Sequence, residues 1–237
     1  MSDQPNPNIP AHPVAFRYPL SHLAAQLSGN GPIKVVAIGS STTAGEGGVV
    51  AYPYRLEEAL RAQYQGRMVD VLNRGKSGDE ARAELSRLQA DVLEQTPALV
   101  IWQVGTNAVW KDYDLNDTAS AIREGLELLI GIGMDIVLMD PQFAPALLTD
   151  DKLKAACRMV SLIAEAADGA SAPVNVFKRF DLMQRWHEIE RISFDRMIDP
   201  TDPDRLHHSD WSAVRVGQAL RDAIADGVTR AAQTTPA

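Results

Sequence analysis

The stretch VVAIGSSTTAG, Val35 to Gly45, decides how the rest of the chain is read. A short β-branched run stops on Gly39 and is followed by Ser40, Ser41, Thr42 and Thr43. Unbroken apolar runs of this length are typical of strands buried on both faces, as in parallel sheets. Entering a helix from such a strand takes a glycine and one capping hydroxyl. Four hydroxyls leave three chemistries open: a phosphate cradle, a nucleophile, or a capped helix start.

Similar runs recur along the chain. IKVVAI (33–38), MVDVL (68–72), ALVIWQV (98–104), MDIVLMD (134–140) and VNVF (174–177) read as five buried strands. Amphipathic helical spacing fills the intervals, in YPYRLEEALRAQY, DEARAELSRLQADVLEQ, DTASAIREGLELLIGIG and DKLKAACRMVSLIAEAA, and again in DWSAVRVGQALRDAIADGV near the end. Strands alternating with helices predict an α/β fold: a three-layer α/β/α sandwich around a five-stranded parallel sheet, flavodoxin-like. The length of 237 residues suits one domain over 31–237. Before it, the polar, proline-rich start MSDQPNPNIPAHPV suggests an extended arm over 1–30.

Composition narrows the function. With 31 acidic against 23 basic residues and a net charge of −8, the chain has no nucleic-acid footprint. No apolar run reaches the ~20 residues of a membrane span. The first residues contain no basic stretch followed by an apolar one, so a cytoplasmic location is the expectation, with periplasmic or secreted the alternative if a leader has been removed. Cys157 is the single cysteine and lies in a helical run, where a buried structural thiol is expected.

Right-handed crossovers bring the loops at the carboxyl ends of parallel strands together. After the first strand comes the hydroxyl cluster. NRGKSGD follows the second, with Asn73, Ser77 and Gly78; Gly105, Thr106 and Asn107 follow the third; DPQFAPA (140–146) follows the fourth; DPDRLHHSD (202–210) precedes the last helix. Together these loops supply a hydroxyl nucleophile, small residues with free amides, a side-chain amide and a late Asp-x-x-His, the parts that acyl transfer needs. Each has a structural reading when taken alone. Ser41 or Thr43 can cap a helix, Gly-Thr-Asn and Asn73 are ordinary turn residues, and Asp210 suits the N-cap of the last helix. Phe180, Met183, Trp186 and Ile189 fall at helical spacing and read first as core, second as a lid or acyl-pocket wall. Asp202 and Asp204 both stand close enough to His207 to partner it.

Gly39-Ser40-Ser41-Thr42-Thr43-Ala44-Gly45, Asn73 with Ser77-Gly78, Gly105-Thr106-Asn107 and Asp204-Arg205-Leu206-His207 resemble, in order, the four blocks of the SGNH (GDSL-type) hydrolases. The resemblance runs from about Ile33 to about Gly227. It implies a serine ester hydrolase with Ser41 as nucleophile, His207 as base and Asp204 as its partner. It also implies an oxyanion hole made by the Ser41 and Gly78 amides with the Asn107 side chain. The chain departs from the family at Ser40 and Ala108, where Asp is usual, and at His208, where Pro is usual. No metal or organic cofactor is required, and the expected substrate is a small-molecule or carbohydrate ester. Trp110 and Phe143, next to these loops, are candidate pocket residues. An acyltransferase or carbohydrate O-deacetylase would use the same machinery. A non-enzymatic flavodoxin-like phosphate-binding module is the distant alternative, since hydroxyl-rich loops at helix N-termini also hold phosphate.

Overall fold

The computed structural model describes residues 14–234. Five parallel strands form one sheet: β1 (Ile33–Gly39), β2 (Val69–Gly75), β3 (Leu99–Gln103), β4 (Asp135–Met139) and β5 (Val174–Phe177), in the order β2-β1-β3-β4-β5. The register pairs Val35 with Val71 on one side and with Leu99 on the other. β3 and β4 are buried along their whole length, as their apolar runs require. β2 is an edge strand and alternates, with Asp70 and Leu72 half-exposed. The order reverses between β1 and β3, and a crevice opens at the carboxyl ends of strands on either side of such a switch.

Helices cover both faces: α1 (Ser21–Ser28), α2 (Ser41–Ala44), α3 (Tyr52–Gln63), α4 (Ala81–Leu85), α5 (Leu88–Asp91), α6 (Thr106–Trp110), α7 (Leu115–Leu129), α8 (Asp150–Asp168), α9 (Arg179–Glu188), α10 (Phe194–Met197) and α11 (Asp210–Thr234). On one face, α11 packs between α1 and α3; on the other, α7 packs between α4 and α8. The run 79–95, continuous in its helical spacing, is broken into α4, α5 and a short 3₁₀ turn at Leu93–Gln95. The break lets Arg87 turn inward, with a consequence for the site described below.

Three expectations need correction. The chain does not run as an arm up to residue 30. Phe16, Leu20 and Leu23 are buried, α1 is helical, and the Leu20 amide donates to the Gly227 carbonyl at 3.1 Å, tying this segment to α11. Burial of each such side chain contributes roughly 1.5–3 kcal/mol, enough to dock a two-turn helix. Residues 1–13 of the expected arm lie outside the described residues. Cys157 is exposed, because Ala156, Met159 and Ile163 take the inward face of α8. Asp210 is the first residue of α11, and the capping hydroxyl is that of Ser209, which accepts from the Ser212 amide at 3.3 Å.

A carboxyl group is buried between β3 and α4. Glu84 is 1% exposed and accepts from the Trp102 indole N–H at 2.8 Å. Burial raises its carboxyl to about 8, against the pull of the Trp102 N–H and of Arg87. The folded state therefore keeps a proton that the unfolded chain gives up above its ordinary value of 4.5. Stability falls as pH rises from that value to about 8, and is level beyond. Glu84→Gln keeps an acceptor for Trp102 and removes the titration. Thermal melts from about pH 5 to pH 9 should fall less steeply for this variant and cross above wild type at the alkaline end. Parallel curves would refute the buried-carboxyl account.

Candidate active site

The hydroxyl cluster ends β1 and opens α2. Ser40 is extended, and Ser41 is the first helical residue, 7% exposed. A four-residue helix this close to a strand end needs room. Gly75, at the end of β2, supplies it, since a Cβ there would lie 2.1 Å from the Ala44 nitrogen. Asn73 holds the same turn, accepting from the Gly75 amide at 2.9 Å and donating to the Ala44 carbonyl at 3.4 Å.

Ser41 meets His207 across the crevice. The imidazole Nε2 lies 3.0 Å from Ser41 Oγ, and Nδ1 lies 3.0 Å from Asp202 Oδ2. The carboxylate on the imidazole is therefore Asp202, and Asp204 points into solvent. Local backbone geometry explains the choice. Asp202 Oδ2 also accepts from the Leu206 and His207 amides at 2.8 and 2.7 Å, and Oδ1 accepts from the Asp204 amide at 3.1 Å. Arg205, in the left-handed region at φ 54°, makes the bend that turns these amides inward. Burial pushes the Asp202 carboxyl up, but the amides of His207, Leu206 and Asp204 outweigh it and hold the carboxyl below its usual range. The carboxylate is thus charged and fixed before it meets the imidazole. The available sequence signal was an Asp before proline, a residue type that hydrogen-bonds the backbone a few positions on.

Ser40 and Ala108, the two positions where the resemblance leads one to expect Asp, have substitutes. Gln103, the last residue of β3 and fully buried, collects three donors on Oε1: the Ser40 amide at 3.2 Å, Ser40 Oγ at 3.3 Å and Thr43 Oγ1 at 3.1 Å. A neutral amide oxygen thus braces the serine loop where a carboxylate within the loop would otherwise do so. Asn107, 4% exposed on α6, donates through Nδ2 to the Asp79 carbonyl at 2.6 Å. A carboxamide has two N–H donors, so one remains for a ligand.

Gly78, at φ 82°, occupies a conformation that favours glycine. Its loop is tied on two sides. Lys111 Nζ reaches the Gly78 carbonyl at 3.4 Å, and Arg87 reaches Asp79 Oδ2 at 2.8 Å, the Arg74 carbonyl at 2.7 Å and the Gly39 carbonyl at 3.0 Å. Arg87 thereby staples the ends of β1 and β2 to the glycine loop. It lay within a continuous helical pattern, and no sequence signal marked it.

His208 differs from its neighbour. It is 5% exposed, and burial, with Arg179 and His207 nearby, holds it neutral, well below the ordinary histidine range. The cleft at Ser41 is lined by Gly45, Glu46, Val49, Tyr52, His207 and His208 among others. Glu46 accepts from the Ser77 hydroxyl, which joins the loops after β1 and β2. Neither Trp110 nor Phe143 lines this cleft. Phe143 packs edge-on to Phe180 at 5.2 Å and stacks on Phe194 at 5.9 Å, inside the core. Trp110 ends α6, half-buried, with the Lys111 ammonium 5.8 Å from its ring centroid. Phe180, Met183 and Trp186 are buried, which accords with the core reading of that stripe.

Residues 6–230 match the Non-GDSL lipase-like family. The chain belongs to that family. Ser40, standing where the G-D-S-L pattern has Asp, is in keeping with the family's name. An acetylxylan esterase from Geobacillus stearothermophilus is 40% identical over 68 residues, which span 29% of this chain and 30% of that protein. The crystal structure of Axe2, an acetylxylan esterase from the same organism, superposes with TM-score 0.66 at 22% identity, covering 82% of this chain and 95% of that one. The lipase/acylhydrolase from Enterococcus faecalis gives 0.66 at 20% identity, with 84% and 96% covered. These likenesses establish the SGNH hydrolase fold. Catalytic mutants of Axe2 carry replacements of a Ser, an Asp and a His, the last two three positions apart in that protein. Among the described residues no helix is long and apolar enough to cross a membrane, and no cluster of potential metal ligands occurs.

Proposed function

We propose that the protein is a serine ester hydrolase that removes short acyl groups, acetyl foremost, from alcohol or carbohydrate esters. The observation that carries the reading is the continuous path from Ser41 Oγ through His207 to Asp202, with both links at 3.0 Å. Neutral His207 takes the Ser41 proton as Oγ attacks the acyl carbonyl. Asp202 holds the Nδ1–H tautomer and stabilises the imidazolium that forms. The developing oxyanion is met by the Ser41 amide, at the open end of α2, by the Gly78 amide and by the second N–H of Asn107. His207 then protonates the departing alcohol. Water, deprotonated by the same imidazole, hydrolyses the Ser41 ester and restores the free enzyme.

The short-acyl preference is supported by the lining of the cleft at Ser41, where Glu46, held by the Ser77 hydroxyl, stands on one side and the buried His208 on another. The carbohydrate leaving group is supported by the acetylxylan esterases among the similar proteins. An aryl acetate, butyrate and octanoate series, with acetylated xylooligosaccharides alongside, tests both parts. Acetate is expected to give the largest kcat/KM, falling at least about tenfold by octanoate, as a pocket that excludes added methylenes would produce. A preference for octanoate would rule out the short pocket. Transfer in place of hydrolysis would appear as faster acetate consumption with an added alcohol and a new ester as product.

A further inference from the structure

We propose that Gln142 is a positioning residue that aligns Ser41, Asn107 and His207, an inference that rests on the serine-hydrolase reading. Gln142 follows β4 and its side chain is fully buried. It reaches the chain neighbour of each of the three groups. Oε1 accepts from Thr106 Oγ1 at 2.9 Å, beside Asn107. Nε2 donates to Thr42 Oγ1 at 3.4 Å, beside Ser41, and to the Leu206 carbonyl at 3.3 Å, beside His207. One carboxamide thus joins loops that are 100, 36 and 64 residues away from it in sequence.

The orientation of that amide is dictated from below. Arg179, the first residue of α9, is completely buried; burial lowers it to about 10, so it stays charged at neutral pH. Its Nε donates to the Asp140 carbonyl at 3.0 Å and its Nη2 to Thr106 Oγ1 at 3.4 Å. A guanidinium can only donate, so the Thr106 hydroxyl accepts from it and keeps its own hydrogen for Gln142 Oε1. Nε2 must then face Thr42 and Leu206. The hydrogen bonds run in one direction, from Arg179 through Thr106 and Gln142 to the serine and histidine loops. A flipped amide would set its N–H against the Thr106 O–H and its oxygen against the Leu206 carbonyl, leaving that buried carbonyl without a donor.

Removing the link frees three loops to shift by fractions of an ångström, and misplacement of about 1 Å can cost roughly 10²-fold in the chemical step. The experiment compares aryl acetate kinetics and the rate of Ser41 labelling by a fluorophosphonate in wild type, Gln142→Met, Thr106→Val and Thr106→Ser. Gln142→Met is expected to lower kcat by about 10–100-fold with KM changed less than about twofold, and labelling slows by a similar factor. Thr106→Val shows the same split, Thr106→Ser recovers most of its loss, and the double variant Gln142→Met/Thr106→Val loses no more than the larger single, as members of one chain should. If Gln142→Met does not fold, the Val and Ser pair at Thr106 decides through the same split. A kcat within about threefold of wild type, or a change confined to KM, overturns the proposal. A wild type that is inactive, or whose activity survives Ser41→Ala, takes down the hydrolase reading itself. An active wild type matched by Gln142→Met removes the positioning role alone.

Discussion

Ser41→Ala is expected to lower turnover of an aryl acetate by roughly 10⁴–10⁶-fold while the far-ultraviolet spectrum and melting temperature stay close to wild type. The hydroxyl is hydrogen-bonded to His207 at 3.0 Å, and the backbone of α2 is held by Ser40, Ala44 and Gly45. Its loss therefore removes the attacking atom and little packing. Asn107→Ala should be milder, about 10²–10³-fold in kcat, because in the proposed mechanism the Ser41 and Gly78 amides would remain to meet the oxyanion. That variant also breaks the 2.6 Å bond to the Asp79 carbonyl, so its melting temperature is measured alongside. Turnover near wild type in Ser41→Ala, with the sample free of contaminating esterase, would end the acyl-enzyme account.

The second large effect separates two carboxylates. Asp202→Asn is expected to lower kcat by roughly 10⁴-fold, since the amide would offer the imidazole a donor or an uncharged acceptor and disfavour the productive tautomer. Asp204→Ala should stay within a few-fold, because its carboxylate is exposed and only its amide N–H takes part in the turn. The Asp-x-x-His spacing, shared with the mutated Asp and His of Axe2, points instead to Asp204. The contact geometry points to Asp202, whose Oδ2 gathers two amides and the imidazole. Steady-state kinetics of the two variants decide between them. A collapse in Asp204→Ala with an active Asp202→Asn would assign the role by spacing and overrule the contact.

The strands were legible because burial on both faces leaves unbroken β-branched runs, and the loops after them because glycine, asparagine and hydroxyl residues mark strand ends. The order of these loops suggested acyl-transfer chemistry, and the resemblance to the SGNH hydrolase blocks picked out Ser41, Gly78, Asn107 and His207 within them. The bracing groups were not. Gln103, Gln142, Arg87 and Arg179 carry no local pattern: a buried Gln at a strand end and an Arg within a helical stretch look like surface residues until a partner is known. Their partners stand tens of residues away, as Gln142 and Thr42 do at a separation of 100. Phe143 shows the same limit in the other direction, since position beside the site did not reveal which way its ring turns.

What the amino-acid sequence by itself determined is the α/β layering, the parallel sheet and the loops that carry the candidate hydroxyl, amide and imidazole, because each depends on local periodicity or residue type. The tertiary structure alone decided which carboxylate touches His207, what stands in for the absent Asp at Ser40 and Ala108, and that Phe16, Leu20 and Leu23 join the core. Those outcomes depend on side-chain direction and on contacts between distant segments, which are set when the loops converge and have no counterpart in local sequence.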